Sequence, residues 1–166
     1  MKLGPCLAFA VLASVLSSAP ASALELQDAQ QSHLAVTVPD GWNLSTDGAW
    51  SVADAPDHRA RVRIAGHGRG VLGEAQAEAY LIDFIAQLWS TYTVDRHIRH
   101  VACGRFAGLE ISGHGSGDSW ARASFQLFVL VDPTNVQKAA VVLLTGRSDA
   151  WESLHPGLER AVHALH

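Results

Sequence analysis

The residues best equipped for chemistry are nine histidines, three arginines at alternate positions, a glycine-rich hexapeptide and a short segment rich in Gly, Ser, His and Asp. His97 and His100 are close in sequence, but on a strand positions i and i+3 face opposite ways, so they cannot readily share an ion. There is no H-E-x-x-H and no cysteine pair of the kind that holds zinc. His67 and His114 lie in Gly66-His67-Gly68 and Gly113-His114-Gly115, which read as loops that could meet at one end of a sheet. The histidines are expected to be solvated surface residues, and no metal ligand is assigned. Gly68-Arg69-Gly70-Val71-Leu72-Gly73 matches G-x-G-x-x-G, with Asp95 where a ribose-binding acid would stand. The dinucleotide fingerprint needs a buried apolar strand before it, whereas the segment here carries Arg59, Arg61 and Arg63; the motif is read as a flexible loop and no cofactor is expected. Ser116, Asp118, Ser119 and His114 contain the residue types of a hydrolytic triad, but they are neighbours in one segment. G-x-S-x-G is absent, so no catalytic residue is assigned.

The arginines are the strongest surface signal. Arg59-Ala60-Arg61-Val62-Arg63-Ile64 alternates strictly, which puts three guanidinium groups on the face opposite Ala60, Val62 and Ile64. Like charges at that spacing repel unless carboxylates or an anionic partner lie opposite. Glu110 and Asp118 are candidate internal partners; an acidic protein or a lipid headgroup is the external alternative. Trp50, Trp120 and Arg122 are expected near the same face, where exposed Trp and Arg together would mark an interface centre. Arg59, Arg61, Arg63, Trp120 and Arg122 are therefore assigned to partner binding.

Composition narrows the class. Of 166 residues 48% are apolar and 17% charged, which describes a globular chain. Residues 1–23 read as a secretory signal peptide: Lys2, an apolar run over 7–16, and the small-x-small site Ala21-Ser22-Ala23. The run is too short for a membrane span, and none follows it that is long enough. Cleavage would remove Lys2, leaving 11 basic against 16 acidic side chains and a net charge of −5, so no nucleic-acid partner is expected. It would also discard Cys6, leaving Cys103 alone in an apolar stretch as a buried thiol. The implied location is periplasmic or secreted.

Residues 24–32 are polar and aperiodic and read as a flexible extension, with a single domain over 33–166. Strands are expected at 34–38, 49–52, 59–64, 97–103, 107–112, 119–131 and 139–144, with helices over 74–90 and 149–166 and a bend at Pro156. In the long strand over 119–131 the odd positions are apolar throughout. Among the even ones, Arg122, Ser124 and Gln126 look solvated while Phe128 and Leu130 look buried, as though something covers one end of that face. The order β-β-β-α-β-β-β-β-α predicts an α+β fold, a mostly antiparallel sheet sandwiched between a mid-chain helix and a C-terminal helix.

This pattern resembles the PsbP/Mog-like family, which includes the photosystem extrinsic protein PsbP, the Ran-binding Mog proteins and bacterial DcrB-like envelope proteins. The resemblance is carried by Val38-Pro39-Asp40-Gly41-Trp42 after the first strand, by 106–113 after the long helix, and by the terminal helix with Pro156 and Leu158. It implies the fold and a non-enzymatic tendency. The function expected is a non-catalytic protein-binding domain of the bacterial envelope. The alternatives are an immunity protein against an exported toxin, and a small metal-dependent or hydrolytic enzyme built around His67, His114 and Asp118.

Overall fold

A computed structural model describes residues 23–27, 34–67, 74–117 and 119–165. In chain order the elements are β1 (Ala23–Gln27), β2 (Ala35–Pro39), β3 (Asn43–Asp47), β4 (Trp50–Asp54), β5 (Ala60–His67), α1 (Glu74–Leu88), β6 (Trp89–Cys103), β7 (Phe106–Gly117), β8 (Trp120–Asp132), β9 (Asn135–Arg147) and α2 (Ser148–His163). Seven strands form one antiparallel sheet in the order β3-β4-β5-β9-β8-β7-β6, and β1 and β2 form a separate two-stranded ribbon.

Period-two burial explains why the sheet takes a helix on each face. In β8, Ala123, Phe125, Leu127 and Val129 pack with Ala77, Leu81 and Ile85 of α1. The alternate residues Phe128 and Leu130 join Val62 and Ile64 of β5, Val142 and Leu144 of β9, and Leu158 and Val162 of α2. Leu34, Val36 and Val38 place β2 in that second core, and Trp42 closes it beside Gly41, whose φ of +82° makes the turn after Pro39. The turn between β8 and β9 is held by Asp132, whose carboxylate accepts the Thr134 N–H (2.8 Å) and Oγ1–H (2.6 Å).

The sandwiched antiparallel sheet is the expected fold, and five local features differ from expectation. Residues 24–27, expected within a flexible extension, form most of β1, paired with β2; 28–33, like 1–22 of the expected signal peptide, lie outside the described residues. β3 was not expected, because it is exposed along its whole length and has no hydrophobic period: its ladder to β4 holds it. β6 begins at Trp89, immediately after α1, rather than near 97. It is an edge strand whose register shifts between Val94 and Arg99 break the alternation that a strand signal needs. Gly113-His114-Gly115 is part of β7, not a loop. The glycines are there for close approach: a Cβ on Gly115 would lie 2.0 Å from the Thr91 carbonyl oxygen of β6, and one on Gly117 would enter the Trp89 ring. Finally, α2 runs through Pro156, which sits on its exposed side, while Leu158 and Val162 anchor the following turns in the core.

Candidate functional site

The sheet register separates the residues assigned to partner binding. Ala60, Val62 and Ile64 lie in the α2-side core, so Arg61 and Arg63 project on the face that carries α1. Arg61 stands directly opposite Asp54 of β4, and its Nε donates to Oδ1 at 2.5 Å. Arg63 is half-buried opposite Val52. Arg59 precedes β5 and is paired with Asp57 at 2.6 Å; this hydrogen bond holds the Asp57 carboxyl below the usual carboxylate range. Arg59 and Arg61 therefore have their own carboxylates, and Glu110, expected as a partner for the stripe, is engaged elsewhere. Asp118 lies outside the described residues.

Trp120 and Arg122 lie at the end of the sheet. Register places Ala60, Gly146, Ser124 and His114 abreast across β5, β9, β8 and β7. The turn before β5, the start of β8 and the β9–α2 junction thus converge there. They enclose a cavity of about 880 Å³ lined by Asp57, His58, Trp120, Arg122, Arg147 and Asp149, among others. Trp120 is half-buried against the α1-side core, as is Trp50, whose ring lies 5.4 Å from Phe84. Arg147 is paired with Asp149 at 2.6 Å, whereas Arg122 is exposed and has no carboxylate partner among the described residues.

His67 and His114 do not converge. His67 is abreast of Ala139, Val131 and Ala107, seven residues along β7 from His114, so the two backbones are about 23 Å apart along the strand direction at ~3.3 Å per residue. The expectation that their segments could share one end of the sheet is thereby corrected. The His67 side chain and 68–73, including the glycine-rich hexapeptide, lie outside the described residues. His114 instead pairs with Asp95 through Nδ1 at 2.8 Å, with both side chains about half exposed.

A polar network that the sequence reading did not assemble lies where α2 crosses β6–β8. Glu110 and Gln126 are each only 2% exposed. Register sets Arg99 opposite Glu110, and Arg99 Nε donates to Glu110 Oε1 while its Nη2 reaches Glu159 Oε1 at 3.3 Å. Gln126 Nε2 donates to Glu110 Oε2 at 3.1 Å and to Glu159 Oε1 at 3.2 Å. Its Oε1 therefore faces His155 Nε2 at 2.6 Å as acceptor, and the His155 ring stacks on Trp151. The hydrogen bond to Glu110 raises the Arg99 pKa, so the guanidinium stays charged throughout. Gln126 is the even position of β8 whose burial departs most from expectation. It was expected in solvent, but α2 extends over it and its amide satisfies three neighbours.

Glu110, Glu159 and His163 bring ligand atoms within 4.8 Å of one another, a spacing that could hold a cation. Glu110 and Glu159 are already engaged by Arg99 and Gln126, so the arrangement serves internal pairing. Nearby, Cys103 is fully buried, as expected, with Sγ 3.6 Å from His163 Nδ1, which also contacts the Ala102 carbonyl oxygen at 3.0 Å. Burial pushes the thiol up to about 11. Iodoacetamide at pH 8 is therefore expected to leave Cys103 unmodified in the folded protein and to modify it in urea, as read by mass spectrometry. The folded state holds the proton more tightly than the unfolded chain, so this group's contribution to stability is intact below pH 9 and is lost as pH rises from 9 through 11.

Comparison with known proteins places this geometry. No protein-family model matches the chain, and no curated protein sequence does. Among solved structures it is similar to cyanobacterial PsbP (CyanoP) of Synechocystis, with a TM-score of 0.58 and 11% identity over 93% of this chain and 98% of that one. It is similar to LpqN of Mycobacterium tuberculosis, described as involved in cell envelope biogenesis, with a TM-score of 0.54 and 14% identity over 90% and 86% of the two chains. The third likeness is to the Ran-binding protein Mog1p of Saccharomyces cerevisiae, with a TM-score of 0.54 and 8% identity over 87% and 95%. The chain has the PsbP/Mog-like fold. Among the described residues no helix is long and apolar enough to cross a membrane.

Proposed function

We propose that this protein is a non-catalytic protein-binding domain of the bacterial envelope, exported by its leader, which holds its partner at the sheet end built around Trp120 and Arg122. The observation that carries this reading is the 880 Å³ cavity, whose wall pairs a half-buried tryptophan with an arginine that has no carboxylate partner among the described residues. Trp and Arg in such a setting are the residue types that dominate interface energetics. The likeness of the fold to an envelope protein and to a Ran-binding protein supports it, as does the occupation of the network carboxylates by internal partners. Arg59 stands next to the cavity through Asp57 and His58, whereas Arg61 and Arg63 lie on the face that carries α1, away from this site.

The test is capture of envelope proteins by the full chain, tagged at its C-terminus and expressed with its leader. One protein retained in one-to-one ratio, released by Arg122→Ala at unchanged thermal stability and by combined Trp120→Ala and Arg122→Ala substitution in a variant that still unfolds cooperatively, is the expected result. Retention of the same set by the variant would remove the sheet end from the function. Sub-nanomolar capture of a toxin would select the immunity reading.

A further inference from the structure

The cavity at the sheet end opens into a trough. It shares Arg122 and Ser148 with a neighbouring cavity of about 610 Å³, which shares Asp95 and Ser124 with a third of about 380 Å³ that reaches Glu110 and Glu159. Charge is ordered along this path. At the first end Asp57 and Asp149 pair with Arg59 and Arg147, so among the described residues Arg122 is a guanidinium in excess. Midway, Asp95 is paired with His114. At the far end, among the described residues, two carboxylates, Glu110 and Glu159, face the guanidinium of Arg99, and Glu159 also faces the His163 imidazole at 3.9 Å, so carboxylates outnumber guanidinium groups there. Arg122 and Gln126 mark the two ends on one face of β8. They are four residues apart, about 13 Å at ~3.3 Å per residue, which is also the distance between residues i and i+4 of an extended peptide.

We infer that the trough docks an extended segment of the partner polypeptide, with an acidic side chain on Arg122 and a basic side chain four residues away beside Glu159. The inference rests on the protein-binding reading above and adds to it the sequence class of the segment bound. Complementary charges at both ends set the register of the segment, and the aromatic wall at Trp120 takes the residue beyond the acidic one.

The experiment is an NMR titration of the full-length protein with capped synthetic pentapeptides that carry one glutamate and one lysine, either four residues apart or adjacent. The four-residue spacing is expected to bind about tenfold more tightly, with shifts at the Arg122 Nε–H and the Gln126 side-chain amide. Arg122→Glu is expected to abolish that preference, and a peptide with lysine at both ends is expected to bind the variant instead. Binding that ignores the spacing, or that survives Arg122→Glu unchanged, overturns the inference. So does Arg122-dependent binding to phosphatidylglycerol vesicles without peptide binding, which would make the site a lipid contact. If envelope capture depends on Trp120 and Arg122 while the peptides show no spacing preference, the trough inference falls and the protein-binding reading stands.

Discussion

Gly115→Ala lowers the stability of the domain by about 2–4 kcal/mol, read as a fall in the urea midpoint at unchanged slope. The expectation follows from one contact. The added methyl carbon would lie 2.0 Å from the carbonyl oxygen of Thr91 and 2.8 Å from the Tyr92 Cα, both of them backbone atoms of the neighbouring strand that cannot turn aside as a flexible side chain would. Relief requires β6 to move away from β7, which breaks ladder hydrogen bonds at the edge of the sheet. Gly157→Ala makes the same chemical change on the exposed side of α2, where nothing lies within 4 Å of the new atom. There the helix propensity of alanine is gained without a clash, and stability rises by up to about 1 kcal/mol. The opposite signs separate steric exclusion from a general effect of losing glycine. Equal, small effects at both sites would refute the close-approach account of β7.

Arg99→Ala costs about 3 kcal/mol, because it leaves the Glu110 carboxylate buried beneath α2 with only the Gln126 amide to compensate it. The double variant Arg99→Leu/Glu110→Leu is expected to recover most of that loss. It removes both charges together and places apolar side chains beside a face that already packs Phe128 and Leu130 under the same helix. A double-mutant cycle on thermal or urea unfolding reads the coupling. If the single and double variants lose stability equally, the network contributes through packing of the alkyl stems and not through the charge pair. Because Arg99 is the guanidinium that faces both Glu110 and Glu159 at that end of the trough, the single variant should also increase the local negative charge and tighten binding of lysine-bearing peptides.

Much of this was legible in the chain. Alternation in 59–64, apolar odd positions over 119–131 and the helical spacing of Ala77, Leu81 and Ile85 each report the burial of one face, and burial is a local consequence of side-chain type. The change in character at Phe128 showed that one end of that face is covered, although α2 reaches further, over Gln126. Signals failed where burial did not vary along an element, as in β3, or where bulges shift the period, as in β6. They failed again at 113–117, where glycine usually marks a turn but here admits a neighbouring backbone.

The candidate site was legible only in part. Trp120 and Arg122 were picked out by residue type, and the structure brings them together on one cavity wall with the turn that follows β4. Glu110 is the expected carboxylate partner of the arginine stripe, but in the fold it faces Arg99 instead. Amino-acid types and their periods therefore determined the layers, the two cores and the buried thiol, because these depend on how each side chain partitions from water. Which charge faces which depends on strand order and register. Asp54 is opposite Arg61, Arg99 opposite Glu110, and His67 about 23 Å along the strand direction from His114, because β9 and β8 pass between β5 and β7 in the register observed. That pairing is settled by the long-range closure of the sheet, and no local stretch of the chain encodes it.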